Sequence, residues 1–434
     1  MGLSVHLLVC LLGTGSWVAI NGMWVELPLL VPSVPEGWLL PSYLTVVIQL
    51  ANVGPLLVTL AHRFLPGRLP EVGLINALLG LGCLACLLLA FLWGERSLVG
   101  GSPRSVALLA LLFGLALVDC TSSVTFLPYM RRLRPAFLPS YFVGEGLSGL
   151  LPGLVALGQG VGVAQCLNGS SSQEAGNVTA WPLQVEYQAP RFSVRTFFLF
   201  LSGMMGASLA AFLLLSHLPA ARQERAQEKH QVRLQGGDGH LTVEEGAAPQ
   251  GACCDASCRR SWAWRLYVFG VLAWVNALTN GTMPAIQSYS CLPYGDFAYH
   301  LSATLAALAN PLACFLGIFL PNRSLVLMGS LTAVGSLLAF YIMAMAVLSP
   351  CPPLLHLPSG AILIVVCWVL FVGTLSYVKL MVGLLLREEG RRALVWCGAV
   401  VQAGSMGGAL AIFPAVNLYR LFREGEPCHS TCPS

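Results

Sequence analysis

Leu50-Ala51-Asn52-Val53-Gly54-Pro55-Leu56 and Leu308-Ala309-Asn310-Pro311-Leu312 are near copies of one phrase, 258 residues apart at their asparagines. The copying extends upstream. Before the first copy stand Asn21-Gly22, then Pro28, then Leu40-Pro41-Ser42-Tyr43; before the second stand Asn280-Gly281, Pro284, Leu292-Pro293-Tyr294 and Tyr299. The offset is 259 between Asn21 and Asn280 and 256 between Tyr43 and Tyr299. A near-constant offset across two segments is hard to obtain by chance from Leu-rich sequence, and it predicts a chain built from two related halves.

The sequence around these phrases is apolar. Of 434 residues, 56% are hydrophobic and 10% charged, and the mean hydropathy is +0.74. Soluble domains carry roughly 25% charged residues, and no water-soluble chain of this size could hide so much apolar surface. A cytoplasmic enzyme, a nucleic-acid binder and a disordered scaffold are excluded. Apolar runs near 20 residues recur, the length that crosses a bilayer as a helix. The expected fold is an all-α polytopic membrane protein with 11 transmembrane helices, near 3–23, 41–61, 72–93, 105–129, 138–163, 194–217, 263–285, 298–320, 325–348, 359–386 and 393–415. Segment one lacks a basic leader and runs on into Trp24-Val25-Glu26-Leu27-Pro28, so it reads as a retained helix. A myristoylation signal fails at His6.

Lys and Arg concentrate in cytoplasmic loops. With the N-terminus inside, 16 basic residues fall on the cytoplasmic side and six outside, and Lys379 lies within segment ten. The expected topology has a cytoplasmic N-terminus and an extracellular C-terminus. It divides the chain into a six-helix half (1–217), a cytoplasmic linker (218–262), a five-helix half (263–415) and an extracellular tail (416–434). The sequons at Asn168 and Asn177 fall in the 164–193 loop, outside, and are the glycosylation candidates. Most of the 15 cysteines lie within segments as small apolar residues. Among the exterior ones, a bridge from Cys351 to either Cys428 or Cys432 would tie the tail to the loop after segment nine.

Six segments before the repeat recurs give both copies the same orientation, the parallel arrangement of major-facilitator-type carriers. By that analogy segments one, four, seven and ten line a midplane cavity between the halves. An ionisable side chain at that depth costs ~2.5–3.5 kcal/mol on insertion scales, so each one needs a reason. Asp119 in segment four and Lys379 in segment ten are 260 residues apart, equivalent in the repeat, and read as a facing pair. Two readings stay open: an ion pair locking the halves, or a cavity pair that substrate or a proton disturbs. Glu145, in the small-residue run of segment five, is a candidate proton carrier, with Gln402-Ala403-Gly404-Ser405 as its counterpart region. Glu26 is expected at the outer mouth of segment one, either simply solvated or at the substrate entry, and joins Asp119, Glu145 and Lys379 as a candidate for charge or proton coupling.

Asn21, Asn52, Asn280 and Asn310 put amides into apolar helices. Each must bond a neighbouring helix or face a wet cavity. Their repeat-related positions favour a substrate site, with Trp17 and Trp24 available for stacking on a flat ring. Neither Lys229 nor Lys379 follows a Gly as a Walker motif requires, and no metal or nucleophile constellation is visible. The reading is a carrier rather than an enzyme, without cofactor, whose partners are its solute and the lipid bilayer.

Several strings resemble the solute carrier family 52 riboflavin transporters. They are Gly15-Ser16-Trp17 with Asn21-Gly22 and Trp24 to Pro28; Leu40-Pro41-Ser42-Tyr43-Leu44-Thr45-Val46-Val47; and Asp119-Cys120-Thr121-Ser122-Ser123-Val124-Thr125-Phe126-Leu127-Pro128. Also similar are Leu278 to Gly281 with Tyr289-Ser290-Cys291-Leu292, Ala298-Tyr299-His300-Leu301, and Ser349-Pro350-Cys351-Pro352 with Ser376-Tyr377-Val378-Lys379. The run 143–152 is similar to the member 3 type. The resemblance implies plasma-membrane uptake of riboflavin, sodium-independent and in some members pH-sensitive, and a viral envelope protein as a further partner of related proteins. Isoalloxazine is flat and edged with amide-like groups, and ribityl is a row of hydroxyls, which suits tryptophans and asparagines. A carrier of another flat polar solute such as a nucleoside, and a surface receptor without transport, are the alternatives.

Overall fold

The computed structural model describes residues 2–64, 70–130, 133, 137–161, 164–167, 184–187, 189–217, 262–320, 322–355, 357–389, 391–425 and 432. The sequons at Asn168 and Asn177, nearly all of the 218–262 linker and Cys428 lie outside them. Among the described residues, nine helices are long and apolar enough to cross a membrane: Gly37–Ala61, Glu71–Leu92, Val106–Met130, Pro139–Gln159, Val194–His217, Asp296–Gly317, Leu325–Val347, Pro358–Leu386 and Trp396–Asn417.

The two helices that begin the halves depart from the regular form expected of them. Segment one is a bent pair, Leu3–Thr14 and Val18–Leu30, meeting at 51°. Its break falls at Gly15-Ser16-Trp17, where a Cβ on Gly15 would collide with Ser208. Segment seven runs as Trp262–Asn276, a π-helical turn Ala277–Thr282, Met283–Ala285 and Gln287–Cys291. Pro284 cannot donate its backbone N–H, and Ile286 leaves the helical region at φ −112°. Broken first helices with Pro and Gly near the break expose backbone groups, which a membrane tolerates only where protein or a wet cavity satisfies them. Outside the membrane helices are a 3-10 turn, Leu292–Tyr294, and two short hairpins, Ser97–Val99 with Ser102–Arg104 and Ala164–Leu167 with Gln184–Tyr187.

Glycine governs how closely the first helix of each half approaches its fifth. A Cβ on Gly144 would run into the Cys10 carbonyl and lie 3.0 Å from Gly13 Cα, and one on Gly13 would meet the Tyr141 carbonyl. In the second half, Gly404 and Gly408 face the Ala273 and Ala277 carbonyls in the same manner. These are backbone-to-backbone packings that any larger residue would pry apart.

The halves meet along two seams, segments one and five against eight and segment two against seven and eleven. On the face that carries the C-terminal tail, the seam is closed by side chains. Trp38 stands edge-on to Tyr289 at 5.6 Å, Tyr289 stacks on Phe422 at 5.5 Å, and Ser288 Oγ donates to the Trp38 carbonyl at 2.7 Å. Asn417 Nδ2 donates to Ser42 Oγ at 2.8 Å. The tail is strapped down by the Ser349 Oγ donation to the Arg423 carbonyl, 2.7 Å, and by a Cys351–Cys432 disulfide. Cys291 is fully buried beside Ser290.

Candidate functional site

Between the halves lies a cavity of about 390 Å³, within the ~300–1,000 Å³ range of small-molecule sites. Segment one contributes Trp17, Asn21 and Trp24 to its wall, segment two Gln49 and Asn52, segment five Glu145 and Ser148. The second half adds Thr279, Asn280, Asn310, Lys379, Gln402 and Ser405. Eight residues singled out from sequence (Trp17, Asn21, Trp24, Asn52, Glu145, Asn280, Asn310 and Lys379) thus share one cavity. Its walls come from segments two, five, eight and eleven as well as one, four, seven and ten, a wider set than the analogy predicted.

The hydrogen bonds repeat with the sequence. Asn21 Nδ2 donates to Ser148 Oγ at 3.4 Å, and Asn280 Nδ2 donates to Ser405 Oγ at 3.2 Å. Ser148 and Ser405 are themselves 257 residues apart, the same offset that relates Glu145 to Gln402. Each half therefore presents an Asn from its first helix, held by a Ser from its fifth. Asn280 also donates to Asn276 Oδ1 at 3.1 Å. Asn52 Nδ2 donates to Gln49 Oε1 at 3.2 Å, while Asn52 Oδ1 is buried without a partner among the described residues. That orphan acceptor in the cavity wall is suited to an N–H or O–H from a solute.

Two expectations need correction. Asp119 and Lys379 do not meet. The Asp119 carboxylate, fully buried, accepts the backbone N–H of Ile20 at 3.0 Å, and Lys379 Nζ donates to Thr279 Oγ1 at 3.1 Å. The equivalence was legible, but equivalent positions in parallel halves are related by a rotation and need not touch. Asp119 is absent from the cavity wall, where its neighbour Cys120 appears instead. Glu26 is not at a solvated mouth: it is 1% exposed and accepts from Gln159 Nε2 at 3.0 Å, with its second oxygen unpartnered. Gln159, at the end of segment five, was not visible as its partner because the two are 133 residues apart.

Gln49, Ser148 and Thr279 were not singled out as site residues from sequence. Gln49 could have been found by helical spacing, since it precedes Asn52 by one turn on the same face. Thr279 adjoins Asn280. Ser148 carried a weaker signal, being one serine in a run of small residues.

Residues 1–424 match the family model described as "Solute carrier family 52, riboflavin transporter". A protein named riboflavin transporter 2 from Salmo salar is 55% identical over the whole of both chains. Riboflavin transporter member 3 of the same solute carrier family is 53% identical in its Danio rerio 3-B form and 48% identical in Homo sapiens, again over the whole of both chains. Among solved structures, a D-xylose-proton symporter superposes with a TM-score of 0.51 at 12% identity, covering 96% of this chain and 91% of that one. A bacterial homologue of the iron transporter ferroportin gives 0.50 at 14% identity, covering 96% and 92%. Those two likenesses establish the fold, a major-facilitator-type arrangement of membrane helices, and the family is one of transporters rather than enzymes. With the match running from segment one into the tail, the chain is a multi-pass membrane protein that belongs to the solute carrier family 52 riboflavin transporters.

Proposed function

We propose that the chain carries riboflavin across the plasma membrane by alternating access, sodium-independently and with sensitivity to pH. The observation that carries this reading is the convergence of repeat-related amides and two tryptophans from both halves on one cavity between them. Trp17 and Trp24 provide faces for isoalloxazine, at ~0.5–1.5 kcal/mol per ring contact beyond burial. Asn21, Asn52, Asn280 and Asn310 offer donors and acceptors to the ring edge and the ribityl hydroxyls. Glu145 and Lys379 are the charged groups in the cavity wall, one of each sign, which suits a neutral solute, and Glu145 is the group proposed to exchange a proton.

Segment seven, broken as it is, is proposed to cross the membrane, which makes 11 crossings with the N-terminus cytoplasmic and the tail outside. The closed seam at Trp38, Tyr289 and Phe422 is then the outer one, and the exterior surface beside it is where a viral envelope protein would dock. The test is influx of labelled riboflavin into proteoliposomes. Saturable influx that excess unlabelled riboflavin abolishes and nucleosides leave intact supports the reading. Competition by nucleosides alone reassigns the solute, and no flux from folded, oriented protein favours a receptor.

A further inference from the structure

Asp119 and Lys379 occupy equivalent places in the two halves, 260 residues apart, and so do the groups they touch, Ile20 and Thr279, 259 apart. In both halves the residue that follows the contact is the asparagine of Asn-Gly, and in both that asparagine lines the cavity and bonds a serine of the half's fifth helix. We propose that Asp119 and Lys379 are a repeat-related pair of positioning residues, each acting inside its own half to fix the irregular turn of the first helix and so to aim Asn21 and Asn280 at the solute. The proposal rests on the cavity being the solute site, as proposed above.

The opposite charges follow from what each first helix offers. Ile20 is the third residue of Val18–Leu30, in a first turn whose N–H groups lack helical partners and whose dipole favours an anion. An acceptor is needed there, and a carboxylate from segment four provides it. At the equivalent point of segment seven the chain winds through the π-helical turn Ala277–Thr282 instead of starting a helix. It presents the Thr279 hydroxyl, which already donates to the Val275 carbonyl at 2.9 Å. Its free lone pair takes a donor, and the ammonium of segment ten provides that. Ser122, one turn after Asp119, donates to the Asp119 carbonyl at 2.7 Å and lies 3.0 Å from the Ser16 carbonyl at the same break. Both breaks are thus held from the fourth helix of the half. Asp119 is absent from the cavity wall, so it acts on the solute through the turn of segment one that carries Ile20 and Asn21.

A double-mutant cycle on riboflavin KM tests this in proteoliposomes at equal protein orientation. Asp119→Ala is expected to raise KM roughly tenfold, the loss of one hydrogen bond to a charged group. Asp119→Asn, which retains a carbonyl acceptor, should stay within about twofold of wild type. In an Asn21→Ala background Asp119→Ala should add less than about twofold. Additive effects, or Asp119→Asn as impaired as Asp119→Ala, overturn the proposal. If Asp119→Ala does not fold, Asp119→Ser takes its place in the same cycle. A second readout does not depend on transport: site-resolved alkylation of the thiol introduced by Asn21→Cys should change severalfold in rate on adding Asp119→Ala, while that from Gln402→Cys does not. Equal changes at both positions, or none, also overturn it. A wild-type chain that carries no riboflavin defeats the functional reading, yet the alkylation still decides the positioning role.

Discussion

Gly144→Ala adds one methyl group where the structure has no room for it. The new Cβ would overlap the Cys10 carbonyl oxygen and lie 2.8 Å from its carbon and 3.0 Å from Gly13 Cα, against ordinary carbon contacts near ~3.5–4.0 Å. Every obstructing atom is backbone, so no side chain can swing aside. Segments one and five must separate by about 0.5–1 Å, and a gap of that size forfeits a quarter to a half of each contact along the seam. Overpacking of this kind costs about 1–3 kcal/mol. A kilocalorie moves Tm by ~2–4 °C in a unit the size of one half, so a fall of about 2–12 °C is expected. Gly146→Ala, two residues along the same helix, meets nothing within 4 Å and gains helix propensity of up to ~1 kcal/mol. The assay is thermal unfolding of the purified full chain in one detergent, with riboflavin KM measured on the same preparations. Gly144→Ala should lower Tm and raise KM, because the Asn21–Ser148 contact spans the displaced seam, whereas Gly146→Ala should do neither. Equal Tm values for the two variants would refute the packing argument.

Three further outcomes are expected. Exchanging the charges, Asp119→Lys with Lys379→Asp, should perform no better in uptake than the worse single variant, because each group serves its own half; restored uptake would revive the ion pair. Asn52→Ala and Asn310→Ala should each reduce riboflavin uptake at equal surface expression by roughly 5–30-fold, the loss of one or two hydrogen bonds of about 1 kcal/mol each; wild-type uptake would misplace the midplane site. Non-reducing peptide mapping should recover Cys351 joined to Cys432, and Cys432→Ser should speed backbone exchange of residues 418–425 by releasing the strap; a free Cys351 thiol would contradict the tail's attachment.

Much of this architecture was legible in the sequence because the signals were periodic or duplicated. Apolar runs located the helices, and two copies of Leu-Ala-Asn with a nearby Pro revealed the parallel halves. The same duplication marked Asn21, Asn52, Asn280 and Asn310, since an amide retained at equivalent depths of two apolar helices needs a wet or bonded environment. The missing parts depend on chain paths that no local pattern encodes. The Glu26–Gln159 contact joins residues distant in sequence, and nothing around Gln159 announces it. Asp119 and Lys379 were misread as partners because opposite charges at equal depth invite pairing, whereas each bonds a group on the first helix of its own half. The breaks in segments one and seven were signalled by Gly15-Ser16-Trp17 and by Pro284. Hydropathy windows average over a break and report one continuous span.

The central claim is that riboflavin occupies the cavity between the halves. Equilibrium titration of the purified chain, read by quenching of tryptophan and flavin fluorescence, tests it directly. One site per chain is predicted, with Asn21→Ala and Asn280→Ala each weakening affinity by roughly tenfold although they sit in opposite halves. Saturable binding unchanged by both substitutions, or weakened by only one half's asparagine, would contradict a site shared between the two repeats.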